Sequence, residues 1–188
     1  WHEHTGSWFW WGQALCTDDE YDALWQMTYQ RMREKGATQL IWAYSPGIEP
    51  RDEAEYLRRW PGDGIVDVIG VDAYQYEDRA AYIENLDRSL RIMTAVSRSH
   101  GKPMAVTETG YESVPDAEWW TKTLMPVIEK YPISYVLVWR NAHDKPKLFY
   151  APYPGHASAQ DFQKFYNDRR TLFAKDMETV LKGKTVKK

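Results

Sequence analysis

VDVIGVDAY (66–74) is apolar almost throughout and closes on Asp72 and Tyr74. A strand that is apolar on both faces is buried on both faces, which is the habit of a parallel sheet sheathed in helices. The neighbouring sequence repeats the theme. Residues 78–99 read as a long amphipathic helix closed by His100-Gly101, and KPMAVTETG (102–110) as a strand. A helix over 116–130 begins near Pro115-Asp116, and SYVLVWRN (134–141) is a further strand. Upstream, residues 18–36 carry Tyr21, Leu24, Trp25 and Met32 at helical spacing, with Asp18 or Asp19 as cap and Gly36 as stop. TQLIWAYSP (38–46) is a β-rich run ended by Pro46-Gly47, a short helix is expected at 52–59, and Pro61-Gly62-Asp63-Gly64 is a turn. After a Pro-, Tyr- and Gly-containing loop at 144–156, a last helix is expected over roughly 158–180, with a tail that frays from about 176 to 188.

Alternating strands and helices imply a parallel α/β sheet. Two architectures fit: an open doubly wound sheet, or part of a (β/α)8 barrel. No GxGxxG or GxxxxGK[ST] loop follows any strand, which weakens the nucleotide-binding version. The chain has 188 residues, about one domain by length. Its formal charge of −3 argues against a nucleic-acid partner. No apolar run approaches the ~18 residues of a spanning helix. The lone Cys16 excludes an internal disulfide and a cysteine zinc cluster. Ten Trp and 13 Tyr against five Phe favour rings with a polar handle, which suit sugar faces and wet interfaces.

The polar residues gather at strand ends: His2 and Glu3 at the start, Tyr44, Asp72 with Tyr74, Glu108, and Trp139 with Arg140. In parallel α/β folds the C-terminal ends of the strands share one face, where active sites form. Two carboxylates in an aromatic-lined cleft are the equipment for breaking a glycosidic bond: one protonates the leaving oxygen while the other attacks the anomeric carbon or activates water. The HEH triplet at 2–4 lacks HExxH spacing and an evident third ligand, so no metal site and no cofactor is expected. Of the successive aromatics Trp8, Phe9, Trp10 and Trp11, Phe9 and at least one Trp are expected simply to pack.

WHEHTGSWFWWG (1–12), VDVIGVDAYQ (66–75), KPMAVTETG (102–110) and VLVWRNAHD (136–144) resemble glycoside hydrolase family 26, the β-mannanase family. The resemblance runs to about residue 175. It implies a (β/α)8 barrel and a retaining mechanism, with Glu3 as acid/base at the end of strand 4 and Glu108 as nucleophile at the end of strand 7. It implies that His2 and Trp8 shape the site beside the acid/base, and that Asp72 and Tyr74 lie near the nucleophile. Trp139 would be the sugar platform at the cleavage subsite, and Arg140 would contact the next sugar toward the non-reducing side.

By the same resemblance, residues 1–188 would form a single incomplete catalytic domain: the C-terminal part of the barrel, from the end of strand 4 through strand 8, with the N-terminal strands missing. A whole barrel takes ~250 residues. The missing N-terminal half would then be the partner needed to close the fold, since an open arc exposes strand edges. The isolated segment is expected to aggregate and to hydrolyse nothing. The substrate implied is β-mannan, cut internally, at an extracytoplasmic site. The alternatives are a related hydrolase acting on β-1,3-xylan or mixed-linkage β-glucan, and a non-catalytic carbohydrate-binding fragment.

Overall fold

In the first unit (residues 1–110 and 131–138) four strands form one sheet in sequence order. They are β1 (Ala43–Tyr44), β2 (Val68–Gln75), β3 (Met104–Tyr111, whose last residue belongs to the second unit) and β4 (Ile133–Val138). The computed structural model describes residues 1–186, so the last two residues of the basic tail lie outside the described residues. β1 pairs with β2 in parallel, Ala43 opposite Val68, and β3 pairs with β4 in parallel, Met104 opposite Ile133. α1 (Asp18–Glu34) precedes β1, α2 (Glu53–Leu57) joins β1 to β2, and α3 (Arg79–His100) joins β2 to β3. Among the described residues no helix is long and apolar enough to cross a membrane.

β2 is buried along nearly its whole length, as its apolar run requires, and α3 packs on it through Tyr82, Leu86, Leu90, Met93 and Val96. Asp78 caps α3 by accepting from the backbone N–H of Ala80 and Ala81, and Gly101 ends it at φ 65°. Gly70 admits no side chain: a Cβ there would lie 2.5 Å from Thr107 Oγ1, so glycine is what lets β2 and β3 approach.

Several expected boundaries move, each for a local reason. The N-cap of α1 is Thr17, not Asp18 or Asp19. Thr17 accepts from Glu20 N–H while Glu20 reaches back to Thr17, and Asp18 is drawn instead to Arg58 and Arg59. The strand expected over 38–46 is laddered only at Ala43–Tyr44. It lies at the sheet edge, with β2 on one side only, and Leu40 and Ile41 stay exposed. β4 occupies the other edge, and its Tyr135 and Leu137 are likewise exposed.

The second unit comprises residues 111–130 and 139–188. The helix expected over 116–130 is a π-helical turn (Trp120–Leu124) leading into the short α4 (Met125–Ile128). Met125 N–H reaches back five residues to the Trp120 carbonyl, and Pro126 has no N–H with which to restore the ordinary ladder. The last helix divides into α5 (Ala159–Asn167) and α6 (Ala174–Leu181). At the break, the Thr171 hydroxyl donates to the Phe165 carbonyl, and Asp176 accepts from Phe173 N–H. The unit is held by aromatic edges, Trp120 on Phe162 and Phe165 on Phe173, and by Thr121, whose N–H and hydroxyl both donate to the buried Asp161.

Candidate active site

Asp72 and Tyr74 lie two residues apart on β2, so their side chains leave the sheet on one face. Asp72 is buried, and its two oxygens are fully engaged: Oδ1 accepts from Ser45 Oγ at 2.7 Å and Oδ2 from His2 Nδ1 at 2.8 Å. The same His2 nitrogen is 3.5 Å from Glu108 Oε1. On its other oxygen, Glu108 accepts a 2.6 Å bond from the Tyr74 hydroxyl. Thr107, next to Glu108 on β3, is hydrogen-bonded to Ser45, so the hydroxyl of the residue that follows β1 is bonded to both β2 and β3.

Glu3 follows His2 directly. Its N–H donates to the Ser45 carbonyl at 2.8 Å, which sets residues 1–3 alongside the end of β1, and its Oε2 accepts from the Trp8 indole N–H at 2.8 Å. Glu3 adopts φ 49°, a left-handed conformation that costs energy for a residue with a side chain and gathers at functional sites.

Electrostatics divide the two glutamates by their partners. Burial raises the carboxyl of Glu108; the Tyr74 hydrogen bond and the His2 charge pull it back down, while the negative charges of Asp72 and Glu3 add to the rise. Burial also raises Glu3, opposed first by the Trp8 hydrogen bond. His2 is held above the usual imidazole range, chiefly by its bond to Asp72. The Tyr74 hydroxyl is pushed far up by burial and by donating to Glu108, so it stays a donor throughout the working pH range.

His2, Asp72 and Glu108 are the one group among the described residues whose potential metal-ligand atoms all lie within 4.8 Å of one another. His2 Nδ1 spends its proton on Asp72, so a metal would have to displace that bond. His4 does not join them: it turns inward between the rings of Tyr21 and Tyr44, buried, with neither ring nitrogen hydrogen-bonded.

The structure thus brings together His2, Glu3, Trp8, Asp72, Tyr74 and Glu108. Trp139 and Arg140 follow β4 and belong to the second unit, Trp139 half-buried and Arg140 exposed. Ser45 and Thr107 carry no signal in the sequence beyond their places at the ends of apolar runs; only pairing across strands reveals them.

The family profile described as Glycosyl hydrolase family 26 matches residues 1–139. The chain belongs to that family. Every member of the cluster falls within the matched span. The structure superposes on that of a family 26 β-mannanase from Bacteroides ovatus with a TM-score of 0.91 and 56% identity, covering 94% of this chain and 51% of that one. Mannan endo-1,4-beta-mannosidases from Bifidobacterium adolescentis and Bacillus subtilis are 29% and 30% identical to it. Those matches cover 92% and 74% of this chain but only 19% and 37% of the relatives. The chain therefore spans about half the length of the Bacteroides ovatus structure and less of the other two. Family 26 neighbours and a sheet with parallel strand pairs together make the fold that of a TIM-barrel fragment.

Proposed function

We propose that this chain carries the catalytic machinery of a retaining endo-β-1,4-mannan hydrolase, with Glu108 as nucleophile and Glu3 as acid/base. The observation that carries the reading is the convergence on His2: residues 105 positions apart in the chain (108 − 3) meet there, Glu108 through a 3.5 Å contact and Glu3 as the next residue. Glu108 accepts from Tyr74 and lies beside a histidine biased toward its cation, both of which favour the ionised form that attacks the anomeric carbon. Glu3 is raised by burial, as suits a group that donates a proton to the departing oxygen and then takes one from water. His2 and Trp8 hold the acid/base side of the site, Asp72 and Tyr74 the nucleophile side. Trp139 is proposed as sugar platform and Arg140 as contact to the next sugar. The naming of all three relatives as mannan-cleaving enzymes supports β-mannan as the substrate.

The strands correspond, in this reading, to barrel strands 5–8, with Glu3 at the tip of strand 4 and the preceding strands supplied by further chain. The bond from Glu3 N–H to Ser45, at the end of β1, supports that order, as does the half-length match. Because polymeric mannan cannot enter a cell intact, the enzyme is proposed to work outside the cytoplasm.

The test is a covalent trap. An activated 2-deoxy-2-fluoro-β-mannoside should label Glu108 in the intact enzyme, and proton NMR of early products should show retained configuration. Glu108→Ala should abolish labelling and turnover on mannan. Label on another residue, or inverted product, would overturn the assignment; faster cleavage of β-1,3-xylan or mixed-linkage glucan than of mannan would overturn the substrate.

A further inference from the structure

Glu3 and Trp8 ride on a segment, residues 1–17, with neither helix nor strand. A left-handed glutamate there persists only if its surroundings over-determine it. Arg59, just beyond α2, reaches the second half of that segment. It is buried, with its side chain 3% exposed. Its Nε donates to Asp18 Oδ1 at 2.6 Å, its Nη1 to the Trp11 carbonyl at 3.1 Å, and its Nη2 to the Cys16 carbonyl. The guanidinium lies 5.0 Å from the ring centre of Tyr21, whose hydroxyl donates to the Trp1 carbonyl.

From Trp11 the contact continues to the acid/base. The Trp11 indole N–H donates to the carbonyl of His2, the residue joined to Glu3, at 2.8 Å. The Trp11 ring stacks on Phe9 at 4.3 Å, and Phe9 leans on the His2 ring. An arginine serving only the start of α1 would need Asp18 alone, and Arg58 already bonds that carboxylate from the surface. Here two of the three anchored donors go to backbone carbonyls of the segment. A planar fork of N–H groups can hold three separate acceptors in one plane; a lysine ammonium cannot reproduce that geometry.

We propose that Arg59 is a positioning residue for general acid/base catalysis: by clamping the Trp11 and Cys16 carbonyls it fixes, through Trp11, the backbone that aims Glu3. The proposal rests on the reading of Glu3 as acid/base given above. Its consequence is selective. Loss of the clamp misplaces the proton donor, whereas Glu108 keeps its Tyr74 bond from β2 and its place on β3 and loses at most part of the His2 contact.

Arg59→Gln and Arg59→Lys, made in the intact enzyme, test this with two substrates. On manno-oligosaccharides, whose leaving oxygen needs a proton, Arg59→Gln should lose on the order of 10²-fold in kcat/KM, the scale of a displaced catalytic group. With 2,4-dinitrophenyl 2-deoxy-2-fluoro-β-mannoside, whose phenolate leaves unprotonated, the rate of covalent labelling should fall far less than turnover of the oligosaccharide. Arg59→Lys should fall between parent and Arg59→Gln on the oligosaccharide, and it decides the matter by the same comparison if Arg59→Gln does not fold. Equal losses on both substrates would make Arg59 a general fold support and overturn the proposal, as would full activity on the oligosaccharide. A parent enzyme active on neither substrate would instead overturn the underlying functional reading.

Discussion

Replacing Tyr74 by Phe removes one atom from the site and leaves the ring. The lost hydroxyl donates a 2.6 Å hydrogen bond to Glu108 Oε2 in a partly buried setting. A hydrogen bond to a charged group is worth about 1.5–3 kcal/mol. Tyr74 bonds the ionised carboxylate, so its loss destabilises that form relative to the protonated one. The Glu108 carboxyl should therefore titrate higher in the variant, by the part of that energy that the protonated form does not share. The direction is fixed: burial already holds Glu108 high, the Tyr74 bond is the largest influence pulling it down, and removing that influence lets it climb. With Glu108 as the proposed nucleophile, the acid limb of kcat/KM should report its ionisation in the free enzyme and move up with it. The plateau should fall less, about tenfold, because the His2 contact on Oε1 and the β3 backbone still orient the carboxylate. The assay is a pH profile of kcat/KM on a manno-oligosaccharide for parent and variant, with thermal unfolding to confirm that both are folded. An acid limb that stays in place, or moves down, would show that Glu108 does not need the Tyr74 bond to ionise.

Two further outcomes follow from the same network. Trp8→Phe deletes the indole N–H that holds the Glu3 carboxyl down against burial, so Glu3 should titrate higher and the basic limb of kcat/KM should shift to higher pH; a limb displaced to lower pH would contradict the assignment of Glu3. His4, buried between Tyr21 and Tyr44, is lowered to about 3, first by desolvation and then by the Arg59 charge. A histidine depressed on folding contributes stability that is intact above its unfolded value near 6.5 and is lost as pH falls toward the folded one. That gap corresponds to about 5 kcal/mol between roughly pH 6.5 and pH 3. Urea unfolding of the parent should therefore weaken over that window relative to His4→Phe, and parallel curves for the two proteins would refute it.

Much of the framework is local and so can be read along the chain. The apolar run of β2, the long amphipathic α3 with its Gly101 stop, and the i, i+2 spacing that puts Asp72 and Tyr74 on one face are all consequences of periodicity within a few residues. Where local cues compete, the sequence is ambiguous. Thr17, Asp18 and Asp19 are all competent caps, and the choice of Thr17 depends on Arg58 and Arg59 arriving from 40 residues away to claim Asp18. The π-helical turn before Pro126 and the break between α5 and α6 are likewise settled by where individual N–H groups find acceptors, which a hydrophobic period does not record.

By itself the sequence determined the alternation of strands and helices and the identity of the motifs that mark a family 26 glycosidase, because backbone propensity, apolar period and motif spacing are properties of neighbouring residues. It took chain closure to show that His2 shares its nitrogen between Asp72 and Glu108, that Ser45 and Thr107 brace them, that His4 turns away into a buried aromatic nest, and that Arg59 clamps the segment bearing Glu3. Each of those contacts joins residues at least 17 positions apart (21 − 4 for His4 and Tyr21), and contacts at such separation arise when the chain packs around the sheet, which no local pattern encodes.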